Sequence, residues 1–170
     1  MDVSRETSRM LDDYISELRR WNDKINLVSS ASISDDMRSR HIEDSLQICD
    51  VASTTGQWLD LGSGAGLPGL VVAIVLRERD IRMGLVEADS RKCAFLRHIL
   101  RRHDLPVRVH QTRIEDLDHS PVDIVTARAL APLGKLLAYS ERLVAPDGVM
   151  IFPKGITWRK EVDEARLDWQ

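Results

Sequence analysis

The segment Asp60-Leu61-Gly62-Ser63-Gly64-Ala65-Gly66-Leu67-Pro68-Gly69 carries the densest chemical content of the chain. Glycine is needed where backbone turns sharply or must come close to a ligand. Pro68 suits the first turn of a following helix, where a missing N–H costs nothing. A helix start there would offer N–H groups and a positive dipole end to an anionic group. Three further features fit a ligand at this loop. Glu87 lies 25 positions after Gly62 at the end of an apolar run, and its carboxylate can accept hydrogen bonds from both hydroxyls of a ribose; the plainer reading is a strand-end surface acid. In Thr112-Arg113-Ile114-Glu115-Asp116, Ile114 can cover an adenine ring and Glu115 can meet its exocyclic amine. Arg128 leaves a second apolar run, and a guanidinium is costly to bury without partners, so it marks either a ligand contact or an ion pair with a neighbouring loop acid.

The residue types leave three readings of the loop open. Gly64–Gly69 satisfies the GxGxxG pattern of dinucleotide sites. Gly62-Ser63-Gly64-Ala65-Gly66, with Asp60 two residues ahead, has the form found in S-adenosylmethionine (SAM) methyltransferases. A glycine turn without a ligand is the third. An acid beside the loop suits a cationic sulfonium better than a pyrophosphate, which favours SAM. The turn Leu143-Val144-Ala145-Pro146-Asp147-Gly148, of Leu-x-x-Pro-x-Gly form, points the same way. A Walker-type phosphate loop is excluded because no Gly-Lys-Ser/Thr follows.

The elements that must position these residues divide into a helical head (1–50) and an alternating strand–helix body (57–170) within a single domain. In the head, Met10, Leu11, Tyr14, Ile15, Leu18, Trp21 and Ile25 recur at three- and four-residue spacing, which predicts a helix over 4–22 with Ser4 as its N-cap. A second helix is expected from Ser34 to Cys49, followed by a linker over 50–57. In the body, strands are predicted at 58–61, 82–87, 107–110, 122–127 and 149–152. Helices are predicted at 68–76, 90–103, 132–143 and 158–169, with a turn at Pro146-Asp147-Gly148. Strands spaced by helices imply a doubly wound parallel sheet. Ligands bind such sheets at the carboxyl ends of the strands, where strand order reverses, so the glycine loop is the expected place.

Composition narrows the classes. The 170 residues are 43% hydrophobic and 30% charged, an ordinary globular balance. With 24 Lys+Arg against 27 Asp+Glu the net charge is −3, which excludes a globally basic nucleic-acid binder but not local basic patches. Cys49 and Cys93 lie in apolar surroundings outside any CxxC or Cys/His cluster, so buried free thiols are expected and no metal site is. No signal peptide or membrane-length apolar run is present, so a cytoplasmic protein is expected.

Taken together, the residues resemble the bacterial 16S ribosomal RNA guanine-N7 methyltransferase family, also called the glucose-inhibited division protein B family. The matching segments are Trp21-Asn22-x-x-Ile25-Asn26-Leu27, Arg40-His41-Ile42-x-Asp44-Ser45, Leu59 to Gly69, Lys92-x-x-Phe95-Leu96, Arg113-Ile114-Glu115, Ala127-Arg128-Ala129 and Lys154-Gly155, in the family's order. The resemblance implies a class I SAM-dependent methyltransferase with a Rossmann-like sheet and an N-terminal helical extension. It implies 16S ribosomal RNA or the small subunit as partner and a guanine of the decoding-region loop as substrate. Cofactor contacts are expected at Gly62, Gly64, Leu67, Glu87, Ile114, Glu115 and Arg128. Glu87 stands where the family usually has aspartate. Members usually add an antiparallel hairpin after the last helix, which this sequence lacks. A non-catalytic RNA- or SAM-binding remnant is therefore one alternative, and an NAD-linked oxidoreductase is the other.

Guanine N7 carries a lone pair and no proton, so no general base is required, and no catalytic dyad or triad stands out. RNA contact is expected from Arg40, His41 and Lys154. The run Arg91, Lys92, Arg97, Arg101 and Arg102 holds five cations with no acid between them and is a second candidate. Trp58, Trp158 and Trp169 are expected to pack rather than stack on bases. A monomer is expected.

Overall fold

A computed structural model describes residues 3–29, 41–52 and 54–169. The head helix α1 runs Arg5–Asn22, and Ser4 caps it by accepting from the Thr7 N–H at 3.1 Å. Its apolar stripe buries Leu11, Tyr14, Ile15 and Leu18. A second helix, α2, spans Glu43–Val51. It extends into the stretch expected as linker, while its expected start at Ser34 lies outside the described residues. There follow β1 (Gly56–Leu61), α3 (Gly69–Val75), β2 (Ile81–Glu87), α4 (Ser90–Arg102), β3 (Arg108–Gln111), β4 (Val122–Ala127), α5 (Leu133–Ser140), β5 (Val144–Ile151) and α6 (Trp158–Ala165).

The five strands form one parallel sheet in the order β3-β2-β1-β4-β5. Strand order reverses between β1 and β4. The central strands are near-continuous apolar runs because helices cover both faces. On one face Trp58, Met83 and Leu85 join an apolar cluster with α1, α3 and α4; on the other Leu59, Leu61, Val86, Val125 and Ala127 pack with Leu136 and Leu143. The head thus shares its core with the body. Fully burying one such side chain contributes about 1.5–3 kcal/mol.

Register positions the site. Leu61 lies opposite Val86 on β2 and Ala127 on β4. The next residue on each strand is Gly62, Glu87 and Arg128. Three residues far apart in sequence therefore stand in one row at the carboxyl ends, at strand spacings of about 4.8 Å.

Three expectations are corrected. Pro146-Asp147-Gly148 is not a turn before the last strand but a bulge within it. Val122 pairs with Val144, and two residues later Ile124 pairs with Val149. Proline is tolerated because β5 pairs with β4 alone, as an edge strand. The helix expected over 132–143 ends at Ser140, whose carbonyl accepts from Leu143 N–H in the turn that starts β5. The last helix ends at Ala165 rather than Trp169. Of the tryptophans, Trp58 is buried as expected, whereas Trp158 is exposed with the Arg159 guanidinium over its ring. Cys49 and Cys93 are free and buried, and burial raises both thiols' pKa, Cys49 to about 11. No helix among the described residues is long and apolar enough to cross a membrane.

Candidate functional site

A cavity of about 350 Å³ opens at the switch point between β1 and β4. The glycine loop (Gly62, Ser63, Gly64, Ala65, Leu67) forms its floor. Leu27, Val28, Ser29 and His41 from the head and Lys92, Arg128 and Ala129 from the body complete the walls. The volume falls in the range of small-molecule sites, about 300–1,000 Å³.

The loop's shape is imposed from four sides. Ser63 N–H donates to the Val86 carbonyl, and its hydroxyl donates to the Asp60 carbonyl. Gly64 N–H donates to Glu87 Oε2 at 2.9 Å. The Tyr14 hydroxyl, carried by α1 and fully buried, donates to the Ala65 carbonyl at 2.8 Å. Burial raises its pKa, so it stays a donor at any physiological pH. Gly64 has φ +55°, a region that side-chain-bearing residues rarely adopt, and it lines the cavity, where an added Cβ would meet only the Gly62 carbonyl at 3.7 Å. Gly69 is glycine for a different reason. A Cβ there would stand 2.5 Å from Asp60 Cβ, so only glycine lets α3 start this close to β1.

Asp60 itself is fully buried beneath the loop and does not line the cavity. This corrects the expectation that its charge faces the ligand: the carboxylate turns under the start of α3 and accepts from the Thr126 hydroxyl at 2.8 Å. That seven-residue helix likewise does not present its N-terminus to the cavity, whose wall ends at Leu67. Burial pushes the Asp60 pKa up to about 6, against the lowering effect of the Thr126 hydrogen bond. Its folded pKa thus exceeds the unfolded value. The stability it contributes is complete below about pH 4 and is lost as pH rises through about 6. Asp60→Asn should therefore remove a fall in stability across this window of up to about 3 kcal/mol, since one pKa unit equals about 1.4 kcal/mol. Urea melts of both proteins between those pH values test this, and parallel curves would refute it.

Arg128 enters the cavity wall already engaged. Its guanidinium donates to His41 Nδ1 at 2.8 Å, the His41 carbonyl at 3.4 Å and Asp44 Oδ2 at 3.0 Å. Arginine only donates, so His41 Nδ1 accepts and the ring is in its neutral Nε2–H form. The ion-pair expectation for Arg128 is met, with the acid coming from α2 rather than a nearby loop, and the guanidinium also borders the cavity. Lys92, on the first turn of α4, lines the opposite wall, and no described carboxylate lies within ion-pair distance of it.

The structure therefore gathers Gly62, Gly64, Leu67, Arg128 and His41 around one cavity. Glu87 stands at its back with both carboxylate oxygens already accepting, from Gly64 and Asp89 N–H groups. Ile114 and Glu115 lie outside it. Ile114 is buried in the α5-side cluster while Arg142 holds its carbonyl, and Glu115 accepts from the Tyr139 hydroxyl at 2.7 Å. Lys154 stands outside the cavity and is already engaged: its ammonium pairs with Glu161 at 2.6 Å and donates to the Ala131 carbonyl. Arg40 lies outside the described residues. The residue overlooked in the sequence is Tyr14. Its position on a buried stripe was the available signal, because a buried phenol needs a partner. Tyr14→Phe should raise the KM for the loop's ligand about fivefold and leave other substrates' KM unchanged, as expected for one lost buried hydrogen bond of about 1 kcal/mol. Steady-state kinetics would contradict this if both KM values moved together.

Comparison with known proteins follows the same lines. A family model described as rRNA small subunit methyltransferase G matches residues 7–170. Ribosomal RNA small subunit methyltransferase G of Ruegeria sp. (strain TM1040) is 50% identical over 172 residues, covering 100% of this chain and 83% of the relative. The protein of the same name from Paracoccus denitrificans (strain Pd 1222) is 47% identical over 172 residues, covering 100% and 87%. Among solved structures, ribosomal protein L11 methylase from Lactobacillus delbrueckii subsp. bulgaricus superposes with TM-score 0.62 at 14% identity, over 76% of this chain and 67% of that one. Coclaurine N-methyltransferase bound to N-methylheliamine and SAH superposes with TM-score 0.59 at 15% identity, over 89% and 53%. These two likenesses concern the fold.

Proposed function

The chain belongs to the rRNA small subunit methyltransferase G family, and we propose that the cavity at the carboxyl ends of β1 and β4 is where it holds SAM for methylation of guanine N7 in 16S ribosomal RNA. It is a SAM-dependent methyltransferase of class I fold, and the oxidoreductase reading is set aside. The observation that carries the assignment of the cavity is Gly64, whose left-handed and uncrowded backbone lines a space walled by two cations, Lys92 and Arg128.

SAM, when bound, would supply an electrophilic methyl group on a cationic sulfur. The protein's part is alignment and exclusion of water. Well-oriented reactants can recover roughly 7–11 kcal/mol of barrier. Arg128 and Lys92 provide the positive charge to receive the carboxylate of an amino-acid tail. The loop from Gly62 to Leu67 provides close backbone approach. Glu87 is the residue for the ribose, using lone pairs left after its two backbone contacts. The adenine side is assigned to the segment after β3, where Ile114 and Glu115 lie outside the cavity, the one packed in the α5-side cluster and the other held by Tyr139. The decoding-region loop is the RNA target, met by the face carrying His41. The shared core of head and body supports one folding unit, acting as a monomer in the cytoplasm, and sedimentation equilibrium tests the monomer.

The functional test is methyl transfer from labelled SAM to unmethylated 16S RNA and to small subunits, with mapping of the modified base. Incorporation at a guanine N7 is expected, with a chemical step flat between about pH 6 and 8 because no general base takes part. Cofactor binding without incorporation into either substrate would favour the non-catalytic remnant.

A further inference from the structure

A second basic surface lies away from the cofactor cavity, around β3. Two concavities meet there, sharing Pro106 and Arg108. One, of about 590 Å³, lies against α4 and carries Arg97, Arg101 and Arg108. The other, of about 290 Å³, lies on the opposite side of the strand and carries Arg82, Arg108, His110 and His119. Asp104 is the one carboxylate among the residues lining either of them. In a chain of net charge −3, four arginines against one acid form a strong local excess. None of the four has a carboxylate within ion-pair distance among the described residues; Arg97 donates to the neutral Gln111 side chain at 2.9 Å. By contrast, Arg91 and Arg102 of the same helix are neutralised by Asp89 and Asp13. Burial, His119 and Arg108 together hold the His110 pKa below its ordinary value, as expected where negative charge is lacking.

β3 is also an edge, paired only with β2, and the segment 112–121 that follows it contains no helix to cover this corner. The groove runs along this edge towards the amino ends of the strands: Arg108 lies opposite Gly84 and Arg82 opposite Gln57, three and five residues before Glu87 and Gly62 at the carboxyl ends. The edge is two strands, about 10 Å, sideways from β1, and Arg108 and Arg82 lie a further distance of about 10–16 Å down the strands from the loop, so an RNA with a base in the cavity must run several nucleotides of backbone around the β3 edge to reach them. We propose that the groove around β3, built on Arg82, Arg97, Arg101 and Arg108, binds the phosphate backbone of the RNA substrate and orients it on the enzyme. This rests on the reading of the chain as an RNA methyltransferase. The plainer role for such arginines is to keep an open strand edge from pairing with another sheet.

The test compares Arg101→Glu/Arg108→Glu with Arg5→Glu/Arg9→Glu on α1, which makes the same change in charge elsewhere. The readouts are the Kd for unmethylated 16S RNA across a salt series and the Kd for SAM. The β3 variant should bind RNA about tenfold to a hundredfold more weakly near physiological salt, with a salt slope shallower by about 2, and should bind SAM normally. The α1 variant should match the parent protein. If the β3 variant keeps the parent's RNA affinity and slope, the arginines only guard the edge and the proposal fails. Equal losses in both variants would also overturn it, since the effect would then come from overall charge. Parent protein that binds RNA through this groove without methylating it would refute the enzymatic reading and leave the groove standing.

Discussion

Replacing Gly64 with valine is expected to abolish cofactor binding and methyl transfer while the chain stays folded. Gly64 sits at φ +55°, and a Cβ there would meet nothing closer than the Gly62 carbonyl at 3.7 Å. The protein interior therefore has room for a side chain. Two other costs remain. A β-branched residue held in the left-handed region costs of order 1–3 kcal/mol, and the loop can relieve it only by giving up the bond from Gly64 N–H to Glu87. The new methyl groups would also stand in the space that a ligand must fill. Affinity for SAM or its demethylated product should fall at least about 100-fold, equivalent to about 2.7 kcal/mol. The melting temperature should fall by only about 2–10 °C. Calorimetric titration beside thermal melts checks both. Retained affinity would show that the cavity is not the cofactor site.

The second large effect is expected at Arg128. Its guanidinium joins β4 to α2 and borders the cavity at the same time. Arg128→Ala should lower kcat/KM for SAM by about 100-fold to 1,000-fold, the loss of a charge-assisted contact in a partly desolvated site together with its support. A double-mutant cycle with Asp44→Asn separates the two roles. If Arg128 acts on the cofactor directly, Asp44→Asn alone costs less than about fivefold, and the double variant matches Arg128→Ala. If it acts only by fastening α2, Asp44→Asn reproduces most of the loss. We expect the first outcome, because Asp44 is half exposed and contributes as a surface pair, about 0–1 kcal/mol.

The glycine loop was legible in the sequence because glycine and proline report the backbone shape they occupy, whatever surrounds them. Alternating strands and helices were legible for the same reason: period and apolar runs are properties of short segments. The β4 boundaries and the Ser4 cap agree with their expected positions. The β5 bulge was misread, since Pro146 and Gly148 are turn residues in isolation and only pairing with β4 draws them into a strand.

What a side chain touches across the fold was hidden. Lys154 and Arg128 are both cations after a strand end, and nothing local says that one pairs with Glu161 of α6 while the other pairs with Asp44 and borders a cavity beside His41. Asp60 looked like a ligand contact, yet register and the closeness of Gly69 turn it into the buried support of the loop.

The chain's order of residues alone determined the doubly wound plan, the place of the glycine loop and the family. These follow from local conformational preference and from hydrophobic spacing. Tertiary structure alone decided that Tyr14 holds Ala65 from 51 positions away, that Arg128 leans on α2, and that the β3 arginines share one uncovered corner. Such pairings exist only once the core has brought distant elements into contact, because a hydrogen bond or a shared field depends on distance in space and not along the chain.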